Sequence, residues 1–269
     1  MFDTILDLIK DNPVFLNNSN NPQTDTKVQL AVYLNRVSHY GNAVSVPALA
    51  EWASISTGSV KNFTHRVMTA ILDLHAVAFA PLSDSEIQAA KKWIADRTTP
   101  AWSGGYMGVD GSGIGIFRKP AFFGEDYFNR SGDYTIACQF IFVLATLLLV
   151  DYVVGDIGST HDAEAFWNSS IHLTDGRAAF LGKNEWLWAD SAYPAETWLV
   201  PLTRSQQTSL RELRISINDD KGHDHACLWI QSCLILHNLI IRQNATDLRT
   251  DWEAFDEDEV AAVLSTAEN

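Results

Sequence analysis

Two aspartates carry the chemistry that this sequence offers most directly. Asp110 lies in Gly108-Val109-Asp110-Gly111 and Asp190 in Leu187-Trp188-Ala189-Asp190-Ser191-Ala192-Tyr193-Pro194, each at the carboxyl end of a stretch that reads as a β-strand. Strand ends are rigid platforms. Carboxylates that converge from two of them can share a divalent cation, and hard oxygen donors of this kind suit Mg2+ or Mn2+. In phosphodiester cleavage a pair of such ions, roughly 3.5 to 4 Å apart, activates the attacking water and neutralises the leaving oxygen. Both residues also have plainer readings: Asp110-Gly111 is an ordinary hairpin turn, and Asp190 can cap the turn that leads to Pro194. A third segment, Gly158-Ser159-Thr160-His161-Asp162, offers His161 and Asp162 as metal or acid-base groups. Ser159 followed three residues on by Asp162 fits a helix N-terminus equally well. His223 and His225 flank Asp224 ahead of a helix and read as solvated surface. Gly111, Gly113 and Gly115 lack the spacing of a dinucleotide fingerprint.

The elements that must position these side chains change character near residue 100. From Thr26 to Ala80 the pattern is helical. A short helix over Val46 to Trp52 and a turn through Ala53-Ser54-Ile55-Ser56 lead into a longer helix with Val60, Phe63, Val67, Ile71 and Leu74 on one face. That is the helix-turn-helix layout, and it turns Lys61, His65 and Arg66 outward as candidate DNA contacts. Three-helix cores that never touch DNA share the same pattern. A capping box at Ser83-Asp84-Ser85-Glu86 opens a further helix. After Pro100 the stretch Gly105 to Phe117 reads as a strand, a glycine-rich turn and a second strand. Tyr134 to Phe142, Leu147 to Val154 and Glu185 to Ala189 read as further strands, helices start near Ser159 and Pro194, and an apolar helix runs from Ala226 to Ile241. The expected organisation is an N-terminal extension (1–25), a helical helix-turn-helix-like domain (26–100), an α/β domain with a mixed sheet (101–242) and an acidic tail (243–269).

With 269 residues, 46% of them apolar, the chain can bury a large core. Its longest apolar run, Phe140 to Val150, falls short of the roughly 18 residues of a membrane-spanning helix, and Met1-Phe2-Asp3-Thr4 has no basic leader region. A soluble intracellular protein with no membrane partner is expected. The odd set Cys138, Cys227 and Cys233 forms no CxxC pair, which favours reduced thiols. A net charge of −14 argues against casual binding of nucleic acid, although half of it comes from residue 247 onward.

The order of five segments is informative as a set. Gly108 to Gly111; Tyr127-Phe128-Asn129-Arg130-Ser131-Gly132 with Gln139 downstream; Gly158 to Asp162; Ala189 to Pro194; and Leu236-His237-Asn238-Leu239-Ile240 together resemble the DDE superfamily endonucleases of Harbinger-type transposons, in a fungal style, over about residues 30 to 242. The resemblance implies an RNase H-like mixed sheet flanked by helices, Asp110 and Asp190 as the first two metal-binding acids with Mg2+ or Mn2+, and a DNA-binding helical front end. It also implies a nuclear site of action on DNA and a separate Myb-like partner protein. Two departures stand out. Apolar residues occupy Phe140 to Val150, where the family has polar turn residues. The family also runs on from its second Asp to a helix bearing a catalytic Glu, whereas here Trp198-Leu199-Val200-Pro201 leads within nine residues into Leu210-Arg211-Glu212-Leu213-Arg214. This reads as an internal deletion near 202–209. No acid lies between Glu196 and Glu212, and Glu212 matches a later family position. The expectation is a transposase-derived DNA endonuclease impaired by loss of its third acid. The rivals are a slow nuclease in which Glu212 or Glu196 takes the vacant place, and a non-catalytic, domesticated DNA-binding or protein-interaction module.

Overall fold

A computed structural model of the chain describes residues 1–17, 20, 22–39, 44–130, 132–158, 166, 169, 171–172, 177–178, 180–190, 192–202 and 220–251. Among the described residues six α-helices come first: α1 (Phe2–Ile9), α2 (Thr26–Ser38), α3 (Val46–Ala53), α4 (Thr57–Leu72), α5 (His75–Ala78) and α6 (Asp84–Arg97). Polar caps start four of them. The side chains of Asp25, Ser45, Ser56 and Ser83 accept from the first free amides of α2, α3, α4 and α6, and Ser83 forms the expected capping box with Glu86. α3 and α4 meet through Ser54, whose backbone is left-handed at φ 54°. Val32 of α2, Leu49 and Ala50 of α3, and Val60 and Phe63 of α4 pack into a small core of their own.

Five strands follow: β1 (Met107–Gly115), β2 (Thr135–Val143), β3 (Leu149–Ile157), β4 (Leu187–Asp190) and β5 (Leu199–Leu202). They form one sheet in the order β3-β2-β1-β4-β5. β1, β2 and β3 are successively antiparallel, while β4 runs parallel to β1 and β5 parallel to β4. A final helix, α7 (Asp220–Asp251), packs on β3, α4 and α5. A mixed five-stranded sheet with flanking helices is consistent with an α/β RNase H-like fold.

The two faces of the sheet bury different cores. Met107 and Val109 share one side with Ile141, Val143, Leu187, Ala189 and Leu199, packed against Ala90 and Ile94 of α6 and against Phe166 and Ile171. Ile114, Ile136 and Cys138 share the other with Trp229, Ile230 and Ile235 of α7. That second cluster crosses residue 100 without a break, since Ile5 and Ile9 of α1, Leu30 and Tyr33 of α2, and Val67 and Ile71 of α4 belong to it.

Several sequence expectations give way here. No turn interrupts residues 107–115. Gly111 and Gly113 sit inside β1, opposite Gln139 and Ala137, because a nine-residue ladder to β2 outweighs the weak strand preference of glycine. Asp110 is therefore a mid-strand residue and not a strand end or a hairpin turn. The run Phe140 to Val150, apolar except for Thr146, makes a tight turn between β2 and β3, with Leu147 in the left-handed region at φ 59° and its amide donating to Val143 O at 2.8 Å. No helix starts near Pro194, since Glu196 already bridges to Leu199 and β5 follows. The strand at Leu199–Leu202 escaped the sequence reading because it contains Pro201, a residue that a sheet tolerates at its edge, where β5 lies. α7 extends beyond the expected Ala226 to Ile241 at both ends and takes His223 and His225 into its first turns.

Candidate active site

Asp110 and Asp190 are brought to one level of the sheet by strand register. β1 pairs in parallel with β4 through Met107↔Leu187 and Gly108↔Trp188. Two residues further along each strand stand Asp110 and Asp190. A step of two returns to the same face, so this register carries both carboxylates to one side of the sheet, two residues past the last paired positions. The face is the one shared by Phe140, the Asp110 partner on β2, and by the α7 side of the core. β1 keeps β2 as a neighbour as far as Gly115, but its ladder to β4 ends at Gly108. The acids thus border the place where the two parallel strands part, the kind of crevice in which open α/β sheets hold ligands.

The two carboxylates have different surroundings. Asp190 ends β4, and its Oδ1 accepts from the Ala192 amide at 2.8 Å, so the turn-capping reading of this residue is met. Capping occupies one carboxylate oxygen. Tyr193, one residue further, is buried and receives a hydrogen bond on its hydroxyl from Gln139 Nε2 at 3.0 Å. Two of the resemblance segments therefore touch: the glutamine of β2 fixes the turn that follows Asp190. At the opposite end of β4, Trp188 Nε1 donates to Gly105 O at 2.7 Å, and a Cβ at Gly105 would lie 2.4 Å from the indole nitrogens of Trp186 and Trp188. Only glycine allows that approach, which anchors the start of the short strand. Glu185 adds a further tie. Burial alone would push its carboxyl up, but Lys91 of α6 at 2.5 Å, the Gly182 amide and the Tyr106 hydroxyl more than offset this and hold it below the usual range.

His161, Asp162 and Glu212 lie outside the described residues. Gly158 ends the described part of their segment, and a Cβ there would meet Tyr127 O at 2.3 Å and Thr135 Oγ1 at 2.6 Å, so this motif glycine is required by close backbone approach. Glu196 is exposed in the connection from β4 to β5. Lys61 and His65 are exposed on α4 and Arg66 is half-buried. His223 is held on both ring nitrogens, by the Tyr127 hydroxyl at 2.8 Å and by Cys227 Sγ at 3.4 Å. Burial pushes the Cys227 thiol up to about 11, which leaves it protonated and a poor nucleophile near neutrality. Among the described residues no three His, Cys, Asp or Glu side chains are grouped for a metal ion. None of the helices searched is long and apolar enough to cross a membrane.

The sequence motif Leu236 to Ile240 has a structural explanation that spacing alone did not reveal. Asn238 is fully buried on α7. Its Oδ1 accepts from the Leu149 amide at 3.0 Å, and its Nδ2 donates to Leu149 O at 2.8 Å and to Ala78 O at 3.2 Å. His237 Nε2 lies 3.1 Å from Leu147 O in the turn between β2 and β3. The motif grips the sheet and α5 at once.

Compared with known proteins, residues 109–218 match the sequence profile of a family described as DDE superfamily endonuclease. The matched span starts beside Asp110 and contains Asp190, the turn to Tyr193 and all five resemblance segments except Leu236 to Ile240 and the residue Gly108. The comparisons with curated proteins and with solved structures give no match.

Proposed function

We propose that this chain is a transposase-derived nuclease frame of the Harbinger type that binds Mg2+ or Mn2+ through Asp110 and Asp190 and is deficient in DNA cleavage for want of a third carboxylate. The observation that carries the reading is the common register of the two acids on parallel strands at the opening between β1 and β4. The DDE endonuclease match over the same residues supports it. Two carboxylates suit Mg2+, which is commonly held by one or two carboxylates, with waters and substrate phosphate completing its shell. Asp190 has its geometry set by the Ala192 amide, and Asp110 is held in the middle of a strand flanked on its other side by β2. A bound cation there would polarise the scissile phosphate and lower the pKa of an attacking water. The residues of this chain contribute rigidity and negative charge. What they lack in sequence is an acid between Glu196 and Glu212 to complete the constellation.

The test is nicking of supercoiled plasmid by purified protein in Mg2+ and in Mn2+, with Mn2+ binding measured in parallel on the chain and on Asp110→Asn and Asp190→Asn. The expected outcome is Mn2+ binding that both substitutions weaken, with nicking a thousandfold or more below a complete three-acid enzyme, a loss of about 4 kcal/mol in transition-state stabilisation. Robust nicking abolished by Asp110→Asn and by Glu212→Ala would overturn the deficiency and assign Glu212 the vacant role. Mn2+ binding unaffected by either aspartate substitution would remove the site itself.

A second reading, DNA contact through α4, is favoured by the exposure of Lys61 and His65 beside Arg66. Lys61 and Arg66 can displace only a few counterions, so binding through them is weak and its salt dependence is shallow. A Lys61→Ala, Arg66→Ala double variant of the full chain with unchanged affinity for duplex DNA would dismiss it.

A further inference from the structure

A cavity of about 310 Å³ opens between the end of β3, the first turns of α7 and the loop before β2; its walls include Phe122, Phe123, Asp126, Tyr127, His223 and Asp224. We propose that it receives an arginine side chain from a basic segment of a partner protein, independently of whether the chain cuts DNA. Phe122 and Phe123 are 46% and 66% exposed, with ring centroids 4.1 Å apart. Their rings converge because Phe123 adopts a left-handed backbone at φ 47°, a rare state for a bulky residue. Two exposed phenylalanines beside a buried tyrosine form an aromatic surface that attracts a cation.

Charge selects the occupant. Asp126 and Asp224 are exposed, and no hydrogen bond or ion pair joins either carboxylate to the other described residues, whereas the neighbouring Glu125 is paired with Lys119. Carboxylates on the rim repel a phosphate backbone, which argues against a stacked nucleobase. A metal ion is a poor fit, since no group of three ligating side chains occurs among the described residues and both nitrogens of His223 are engaged. A planar guanidinium can stack on a phenylalanine face and donate to both carboxylates, which an ammonium does less well. The wall is stiff, because Tyr127, His223 and Cys227 are linked in series. Ile157, at the mouth, stands opposite Ile136 in register, itself paired with Ile114, four residues along β1 from Asp110. That offset alone is about 13 Å, so this cavity is separate from the aspartate pair.

The probe is a short Gly/Ser/Arg peptide and its lysine counterpart of equal charge, titrated calorimetrically into the full chain, with amide chemical shifts followed by NMR. The expected result is tighter binding of the arginine peptide, shifts at Gly155 and Ile157, and a loss of about five- to tenfold in affinity for Phe122→Ala or Phe123→Ala. Asp126→Asn should weaken binding as well. Phe122→Leu keeps an apolar side chain while removing the aromatic face, and it serves if the alanine variant loses structure. Equal affinity for both peptides that is insensitive to these substitutions would reduce the effect to attraction by net charge and overturn the proposal. Self-association of the chain that Phe122→Ala abolishes would also overturn it, by making a second copy the occupant.

Discussion

Asn238 shows how one side chain can stand in for a strand. Its amide matches both the N–H and the C=O of Leu149 at the start of β3 and still reaches Ala78. Replacement by Ala leaves buried backbone groups without partners, so Asn238→Ala is expected to destabilise the fold by about 2–4 kcal/mol, read as a drop in urea midpoint at unchanged slope. A loss below 0.5 kcal/mol would show that water replaces those bonds. His225, also on α7, makes a pH-dependent contribution. Partial desolvation of its ring first, then the charges of Arg36 and His65, hold its pKa below the ordinary value of about 6.5. The folded chain therefore binds fewer protons than the unfolded chain between the two values. The stability from this difference is present above about pH 6.5 and is lost as pH falls through it toward the folded pKa. Urea midpoints measured from pH 7.5 down to 5.5 should decline, and His225→Gln should flatten that decline; an unchanged slope would contradict the assignment.

Elements here are often ended by contacts rather than by intrinsic preference. The turn between β2 and β3 is made of Leu144, Ala145, Thr146 and Leu147, residues with little turn propensity, and it holds because Val143, Leu147 and Leu148 exchange backbone hydrogen bonds while Thr146 Oγ1 accepts from the Leu148 amide. Leu147 bears the cost at φ 59° with 57% of its surface exposed. Glycine adopts that conformation freely, so Leu147→Gly is expected to raise stability by about 0.5–1 kcal/mol in thermal or urea unfolding, and a destabilised variant would mean that the exposed leucine makes an apolar contact worth more than the strain. The parallel step from β4 to β5 is shorter than the dozen residues such crossovers usually need, and it returns from Asp190 to the level of Leu187 without a helix. That compression keeps Tyr193 beneath Asp190, within reach of Gln139.

At the scale of the molecule, α7 is the clamp. Trp229, Ile230 and Ile235 bury against both the sheet and the front helices, Tyr33 of α2 donates to Ser232 at 2.9 Å, and Arg242 binds Ala78 O and Ala80 O at 2.9 and 2.5 Å. Arg36 of α2 stacks over Trp229 at 5.2 Å and donates to Thr64 of α4 at 3.1 Å. With one apolar cluster shared by α1, α2, α4, the sheet and α7, urea unfolding followed by tryptophan fluorescence and by far-ultraviolet circular dichroism should give coincident single transitions. Two separated transitions would show that the front helices fold as a unit of their own.

What the sequence determined by itself was local or periodic. The capping box at Ser83, the apolar face of α4, and the strands β2 and β3 follow from short-range preference, and each stands within a few residues of where the pattern put it. Asp110 and Asp190 were legible as candidates because carboxylates in apolar strand-like surroundings are chemically conspicuous and because five segments recur in a family order. Their common level in the sheet was not legible, since it depends on the parallel register of β1 with β4, a pairing across some eighty residues that no local pattern encodes. The same is true of Gln139 meeting Tyr193 and of Asn238 gripping Leu149. Tertiary structure alone decided that the glycines after Asp110 extend a strand, because a glycine's conformation is set by its neighbours' hydrogen bonds and not by its own side chain.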